Sequence, residues 1–176
     1  MHPQSYCVRK KDGSSRLSVD FWKLNKKIIE DRFPLPLIED VIDKLEELHV
    51  FTSLDLKNSF FHIDIDKDST KYTSFATHEG QYEFLKEPFG LCTSPSVFER
   101  YIFHVFNDLL RDKILNIYVD DIMIPSKDEK EGLEKLKLVL KAAENYGLNL
   151  NFKKCHFLKQ KIEFLDYVIE NGTHPQ

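Results

Sequence analysis

Two adjacent carboxylates, Asp120 and Asp121, stand inside an otherwise apolar run, "NIYVDDIMI" at 116–124. A buried ionised carboxylate is costly unless a cation or several hydrogen bonds compensate it, and Asp disfavours strand interiors. The pair therefore calls for a turn in water or a positive partner. A third acid, Asp55 in "FTSLDLKN", interrupts a second strand pattern in the same way. Strand-borne acids far apart in sequence can meet on neighbouring strands of one sheet, where their carboxylates share cations. A pair of divalent ions so held serves in-line phosphoryl transfer, one activating the attacking hydroxyl and the other holding triphosphate and leaving group. Mg²⁺ suits this role, because it takes a few carboxylates plus substrate phosphates rather than an all-protein cage. An Asp-Asp pair taken alone is more often a solvated hairpin turn, and a lone strand Asp an edge residue. The ordered set along the chain carries the reading.

The elements that would position these acids follow from pattern. "YCVRKK-DGSS-RLSVDF" alternates around a turn cluster, a hairpin signal, with Leu17, Val19 and Phe21 on one face. "RFPLPL" is extended, because its two prolines break helix and restrict their neighbours. Ile38, Val41, Ile42, Leu45 and Leu48 follow at helical spacing. "VFTSLDL" at 50–56 returns to strand, "FHIDID" adds another, and "KYTSFAT-HEGQ-YEFLK" reads as a second hairpin. Ser96 and Glu99 form a capping-box pattern at the start of a helix that runs through Val97, Phe98, Tyr101, Ile102, Val105, Phe106, Leu109 and Leu110. "ILNIYVDDIMI" is strand, turn, strand. A charged helix over about 128–145 presents Leu133, Leu136, Leu140 and Ala143, and Gly147 stops it. "LNLNF" and "KIEFLDYVI" close with strands. Such irregular alternation predicts an α+β fold, an antiparallel sheet with helices on one face, rather than a doubly wound one.

Composition bounds the class. The chain has 176 residues, 41% of them apolar and 12% aromatic, enough for a real core. No apolar stretch approaches the ~20 residues of a membrane helix, and the N-terminus lacks a signal-peptide core. Cys7, Cys92 and Cys155 are scattered, giving neither a disulfide set nor zinc spacing, so the expectation is an intracellular, reduced protein that is not secreted. The net charge of −4 hides a basic start. Residues 1–32 hold eight basic side chains against four acidic ones, and Lys153, Lys154, Lys159 and Lys161 form a second basic cluster. Local patches, not the sum, govern phosphate contacts.

In order along the chain these motifs resemble the reverse transcriptase domain of long-terminal-repeat retrotransposons of the gypsy type, as found in retrovirus-like Pol polyproteins. "VRKKDGSSRLSVDFWKLNK" resembles the fingers hairpin, "FTSLDLKNSFFHI" the motif with the first metal aspartate, and "PFGLCTSPSVF" the template-and-nucleotide motif. "YVDDIMI" resembles the catalytic hairpin and "LNFKKCHFLKQKIEFLDYVI" the last palm segments with the primer grip. The resemblance implies a right-hand polymerase. Its ferredoxin-like palm would comprise 51–60 and 91–176, with fingers elements at 1–50 and 61–90. The implied activity is RNA-directed DNA polymerase, a nucleotidyl transfer of dNTPs onto a primer 3′-hydroxyl along an RNA or DNA template. Asp55, Asp120 and Asp121 would hold two Mg²⁺ ions, with Mn²⁺ able to replace them. Lys10 and Arg16 would reach the triphosphate, where ammonium and guanidinium suit phosphate oxygens. Asn58 and Ser59 would offer backbone N–H groups. Phe60 would be the steric gate that clashes with a 2′-hydroxyl, and Phe89 and Gly90 the nucleotide floor. Tyr118, Asp166 and Tyr167 would contact primer and template, and Lys153 or Lys154 would protonate the leaving pyrophosphate.

Three positions depart from the family pattern. Trp22 stands where arginine is usual, Ser59 where glycine is usual, and Asp166 where the primer grip carries glycine. These departures motivate an alternative, a catalytically weakened or inactive retroelement fragment that retains the fold and binds nucleic acid or a partner. The resemblance further implies that thumb, connection and RNase H parts are absent, with poor template-primer affinity. It places the rest of a Pol polyprotein among the partners, no membrane, and action in the cytoplasm (in a virus-like particle) or the nucleus.

Overall fold

The computed structural model describes residues 5–9, 13, 15–34, 37–43, 45, 48–165 and 167–170, with backbone alone for 5–9, 15, 16, 40 and 43. In chain order the elements are β1 (Ser5–Arg9), β2 (Ser15–Val19), α1 (Trp22–Asn25), α2 (Ile38–Asp43), β3 (Val50–Asp55), β4 (Phe75–Thr77), β5 (Gly80–Tyr82), α3 (Ser94–Val105), α4 (Asn107–Arg111), β6 (Asn116–Tyr118), β7 (Asp121–Ser126), α5 (Glu129–Asn145), β8 (His156–Lys159), β9 (Lys161–Phe164) and β10 (Tyr167–Glu170). Short 3₁₀ turns occupy Ser59–His62 and Thr70–Thr73. The chain divides into two compact units, residues 1–33 with 59–98 and residues 34–58 with 99–176. No described helix is long and apolar enough to cross a membrane.

In the first unit β1 and β2 pair antiparallel from Ser5↔Val19 to Arg9↔Ser15, the hairpin expected around "DGSS". Val19 and Phe21 are buried with Phe75 and Leu91, and Leu24, Ile28 and Phe84 pack on them. Leu17, expected on the same face, is exposed. β4 and β5 close through a two-residue turn, Thr77 pairing with Gly80. "FHIDID" does not form a strand; it makes one isolated bridge, Asp64↔Lys86. Residues 70–73, expected in the first strand of the second hairpin, turn as 3₁₀ instead. Phe61 and His62 already belong to the 3₁₀ turn Ser59–His62, and local bonding explains the second turn. Asp66 Oδ1 accepts from the Asp68 N–H and its carbonyl from the Ser69 N–H, while the Thr70 hydroxyl donates to the Lys67 carbonyl. Short polar side chains thus give the backbone an alternative to a ladder.

The second unit is built on one antiparallel sheet in the order β6-β7-β3-β8. Period-two alternation sorts its central strands into two faces. Phe51, Ser53 and Asp55 of β3 stand opposite Pro125, Met123 and Asp121 of β7. On that face Phe51 and Met123 are fully buried with Val41, Leu45, Ile162, Phe164 and Ile169, so α2 and the β9–β10 hairpin cover it. The other face carries Val50, Thr52, Leu54, Ile122, Ile124 and Ser126, all buried. Burial on both sides is why "IMI" reads as a continuous apolar run rather than an alternating one.

α5 lies close on that second face because Gly132 has no side chain. A Cβ there would come within 2.8 Å of Ser126 Oγ and Leu158 Cδ2, and 3.6 Å of a Val50 methyl. Its buried stripe is Gly132, Leu136, Val139 and Ala143. Leu136 and Ala143 are buried as expected, whereas Leu133 is exposed and Leu140 half-buried, with Gly132 and Val139 taking the inward places beside them. Gly132→Val should cost about 1–3 kcal/mol through overpacking. The urea midpoint should fall with an unchanged m value; an unmoved midpoint would contradict the close approach.

Three further expectations are corrected. α3 begins at Ser94, with Pro95 in its first turn where proline is tolerated, so Ser96 lies inside the helix rather than at its cap. The expected continuous helix breaks at Phe106 (φ −105°, ψ 15°) into α3 and α4. "LNLNF" contributes only the bridge Leu150↔Leu56, and "KIEFLDYVI" folds as the β9–β10 hairpin, turning at Leu165 with φ 53°.

Candidate active site

The three aspartates come together. Asp55 ends β3 and Asp121 opens β7, directly opposite each other and on the same face of the sheet. Asp120 stands in the two-residue turn between Tyr118 and Asp121, which themselves pair across β6 and β7. Val119, the other turn residue, has φ 53°. A β-branched residue there is a genuine backbone outlier and stores about 1–3 kcal/mol of strain. Val119→Gly should therefore raise thermal stability by about 1 kcal/mol, read as a higher Tm; a lowered Tm would place the strain elsewhere.

Charge at this end of the sheet is poorly balanced. The Asp121 carboxyl is pushed above the ordinary range, first by burial and then by the Asp55 and Asp120 carboxylates, with the Lys154 ammonium opposing. The Asp120 Oδ1 atom is itself buried. Glu99 of α3, 4% exposed, is also pushed up, by burial first and by Asp120 second. Lys154 supplies the nearest positive charge, its Nζ lying 3.2 Å from Asp55 Oδ2. Backbone bonding places it there. The Asn151 N–H donates to the Asp55 carbonyl and the Lys57 N–H to the Asn149 carbonyl, and the Lys154 N–H then closes a turn on Asn151.

Asp55, Asp120 and Asp121 bring three carboxyls to this end of the sheet, where Lys154 opposes their repulsion, and such a concentration of negative charge attracts a divalent cation. The donor set is oxygen only, as hard cations prefer. Among the described residues no group of three or more His, Cys, Asp or Glu is arranged as a ready-made metal cage. The oxygen donors fit a hard cation, which would have to complete its shell from further oxygens such as phosphates and water.

The expected nucleotide-contacting residues lie in the other unit, apart from Asn58. Phe60, half-buried in the 3₁₀ turn, packs its ring 4.7 Å from Phe89 and 5.7 Å from Phe98. Phe61 meets Phe89 edge-on at 5.5 Å. Gly90 has φ 101°, and a Cβ there would lie 3.5 Å from the Val19 carbonyl oxygen and 3.6 Å from the Phe21 ring. Only glycine adopts that turn without strain. Asn58 takes φ 55°, a conformation Asn tolerates. Ser59 is buried, and its carbonyl lies 3.0 Å from His62 Nδ1. Tyr118 packs on the core beside the aspartates, Tyr167 is exposed at the start of β10, and Lys153 is exposed. Lys10 and Asp166 lie outside the described residues, and Arg16 is described by its backbone in β2. Trp22, at the arginine position, is 60% exposed and carries the Lys26 ammonium 3.4 Å from its ring centroid, so a positive charge stands there after all.

Sequence reasoning missed three residues. The spacing of Glu99 from Ser96 fits a cap, although its place beside Phe98 and one turn before Ile102 puts it on the buried stripe. Asn25 reaches Gly90 and Cys92 through its side chain, and no local pattern signals a contact over more than sixty residues. Glu87 is half-buried and accepts from the Ser94 hydroxyl at 2.7 Å. Burial raises its carboxyl above the ordinary value, and the Ser94 bond partly opposes this. A raised folded pKa means that stability is greatest below the unfolded value and falls as pH climbs through the folded one. Glu87→Gln should flatten that decline as pH rises above the ordinary carboxyl range, seen in urea midpoints against pH; an unchanged slope would exclude Glu87 as its source.

Residues 8–169 match the protein family described as reverse transcriptase (RNA-dependent DNA polymerase). The chain is 36% identical over 177 residues to the retrovirus-related Pol polyprotein from transposon 297 of Drosophila melanogaster, covering 97% of this chain and 17% of that protein. It is 35% identical to the corresponding polyprotein from transposon gypsy of the same organism, covering 91% and 16%. Among solved structures, a foamy viral protease-reverse transcriptase in complex with double-stranded DNA superposes with a TM-score of 0.89 at 25% identity, covering 99% of this chain and 30% of that one. The chain thus spans less than a fifth of these two polyproteins' length.

Proposed function

The chain belongs to the reverse transcriptase (RNA-dependent DNA polymerase) family, and on that premise we propose that it is the palm-and-fingers part of an RNA-directed DNA polymerase within a retrotransposon Pol polyprotein. The observation that carries this reading is the pairing of Asp55 with Asp121 on one sheet face, with Asp120 in the adjoining turn. Its substrates would be dNTPs and a primer annealed to an RNA or DNA template. Its metals would be two Mg²⁺ ions, replaceable by Mn²⁺, and its place of action the cytoplasm or the nucleus.

The chemistry supplied by two bound divalent ions is activation of the primer 3′-hydroxyl and neutralisation of the triphosphate. Asp55 and Asp120 would hold those ions, and Asp121 would add negative charge beside them. The strained turn at Val119 fixes the Asp120 carboxylate, so little reorganisation is needed as charge develops. Lys154, already beside Asp55, is better placed than Lys153 to give a proton to the leaving pyrophosphate. Phe60 blocks a ribose 2′-hydroxyl with a ring that Phe89 and Phe98 hold still. Lys10, Arg16 and the backbone N–H groups of Asn58 and Ser59 receive the phosphates; Phe89 and Gly90 form the floor under the nucleotide. Tyr118, Asp166 and Tyr167 would contact primer and template. Support comes from the family match and the convergence of the three acids.

The test is dTTP incorporation on poly(rA)·oligo(dT) by the purified chain. Incorporation that requires Mg²⁺ or Mn²⁺ and stops on chelation supports the proposal. Incorporation indifferent to chelation, or none at any metal, enzyme or template concentration, contradicts it.

A further inference from the structure

We propose that Asn25 is a positioning residue that sets sugar discrimination by clamping the turn at Phe89 and Gly90. The inference rests on the polymerase reading above, and it concerns contacts within the first unit alone. Asn25 closes α1, yet its side chain bonds far along the chain. Nδ2 donates to the Gly90 carbonyl at 2.8 Å, and Oδ1 accepts from the Cys92 N–H at 3.0 Å. Only this orientation of the amide satisfies both partners; flipped, it would set oxygen against oxygen and N–H against N–H. One side chain therefore holds a donor and an acceptor on either side of Leu91.

The clamp matters because of what it holds. Gly90, at φ 101°, is the residue with the widest backbone freedom, and nothing in its own covalent structure fixes the turn. Phe89 precedes it, and its ring braces both Phe60 and Phe61. The link runs from Asn25 to the Gly90 turn, to the Phe89 ring, to the Phe60 ring. Loosening the first step lets the last one yield, and a gate that yields admits a 2′-hydroxyl it would otherwise exclude. Misplacement by a fraction of an ångström is enough to change such a contact.

Two measurements on Asn25→Ala and Asn25→Asp test this. The first is amide hydrogen exchange at Cys92 by NMR, expected about tenfold faster in Asn25→Ala, with core amides such as Ile124 unchanged. The second is the ratio of kcat/KM for dTTP over rUTP on poly(rA)·oligo(dT). It should fall about tenfold in both variants, mainly through KM. Asn25→Asp keeps the volume and the acceptor for Cys92 but sets a carboxylate against the Gly90 carbonyl. It guards against an alanine variant that fails to fold. Phe60→Val serves as the reference for a relaxed gate. If Phe60→Val relaxes the ratio and neither Asn25 variant moves it, or if Cys92 exchange is unchanged, the clamp has no such role. If the wild-type chain incorporates neither nucleotide, it is the polymerase reading that fails, and the exchange data still decide whether the clamp exists.

Discussion

Asp120→Asn is expected to lower dTTP incorporation by about three orders of magnitude, equivalent to about 4 kcal/mol at the transition state, while making the metal-free protein more stable. The two effects have one cause. Asp120 shares the end of the sheet with Asp121 and Glu99, and its charge helps push both carboxyls above their ordinary range. In the absence of a cation that repulsion opposes folding. In the proposed polymerase the same oxygens would hold the cations. Asn keeps the shape and removes the charge, so the repulsion and the metal affinity vanish together. A primer-extension assay and a thermal melt in chelator read the two halves. Loss of activity with a lowered Tm would instead mean that Asp120 acts through packing, and the electrostatic account would be wrong.

Lys154→Met is expected to act in opposite directions on chemistry and on metal affinity. Nζ of Lys154 is 3.2 Å from Asp55 Oδ2 and lowers the cost of ionising Asp121. Two like charges a few ångströms apart in a partly solvated site repel appreciably, so the ammonium competes with any incoming cation. Its side chain is two-thirds exposed, which screens the effect to a modest one. Mn²⁺ should bind Lys154→Met about three- to tenfold more tightly than wild type. Turnover should nevertheless fall about a hundredfold if Lys154 delivers the proton to pyrophosphate. Titration calorimetry with Mn²⁺ and single-turnover incorporation separate the two. Weaker metal binding in the variant would mean that Lys154 organises the site rather than competes for it.

Much of this site is legible in the sequence, and the reason is periodicity. "FTSLD" and "DIMI" each announce a strand, and an acid at the end of each is conspicuous because strands disfavour it. What the string does not contain is register. That Asp55 faces Asp121 and not Asp120 depends on how β3 and β7 align, and a one-residue slip would have turned the acids to opposite faces. Elements whose fate rests on local polar bonding were misread. "FHIDID" has the composition of a strand, but Phe61 and His62 complete the 3₁₀ turn Ser59–His62 and the stretch keeps one bridge, Asp64↔Lys86. In α5 Leu136 and Ala143 are legible as buried, but Gly132, which decides how near the helix comes to the sheet, carries no hydrophobic signal. The Asn25 clamp and the Lys154 ion pair join residues 65 to 99 positions apart. Contacts of that kind exist only once the fold does.

The central claim is that Asp55, Asp120 and Asp121 together form one site for divalent cations. Mn²⁺ binding followed by electron paramagnetic resonance tests it most directly, comparing the wild-type chain with Asp55→Asn and with Asp112→Asn, an exposed acid at the end of α4. Saturable binding that Asp55→Asn weakens at least tenfold, and that Asp112→Asn leaves alone, is the predicted result. Equal binding by all three proteins would contradict it.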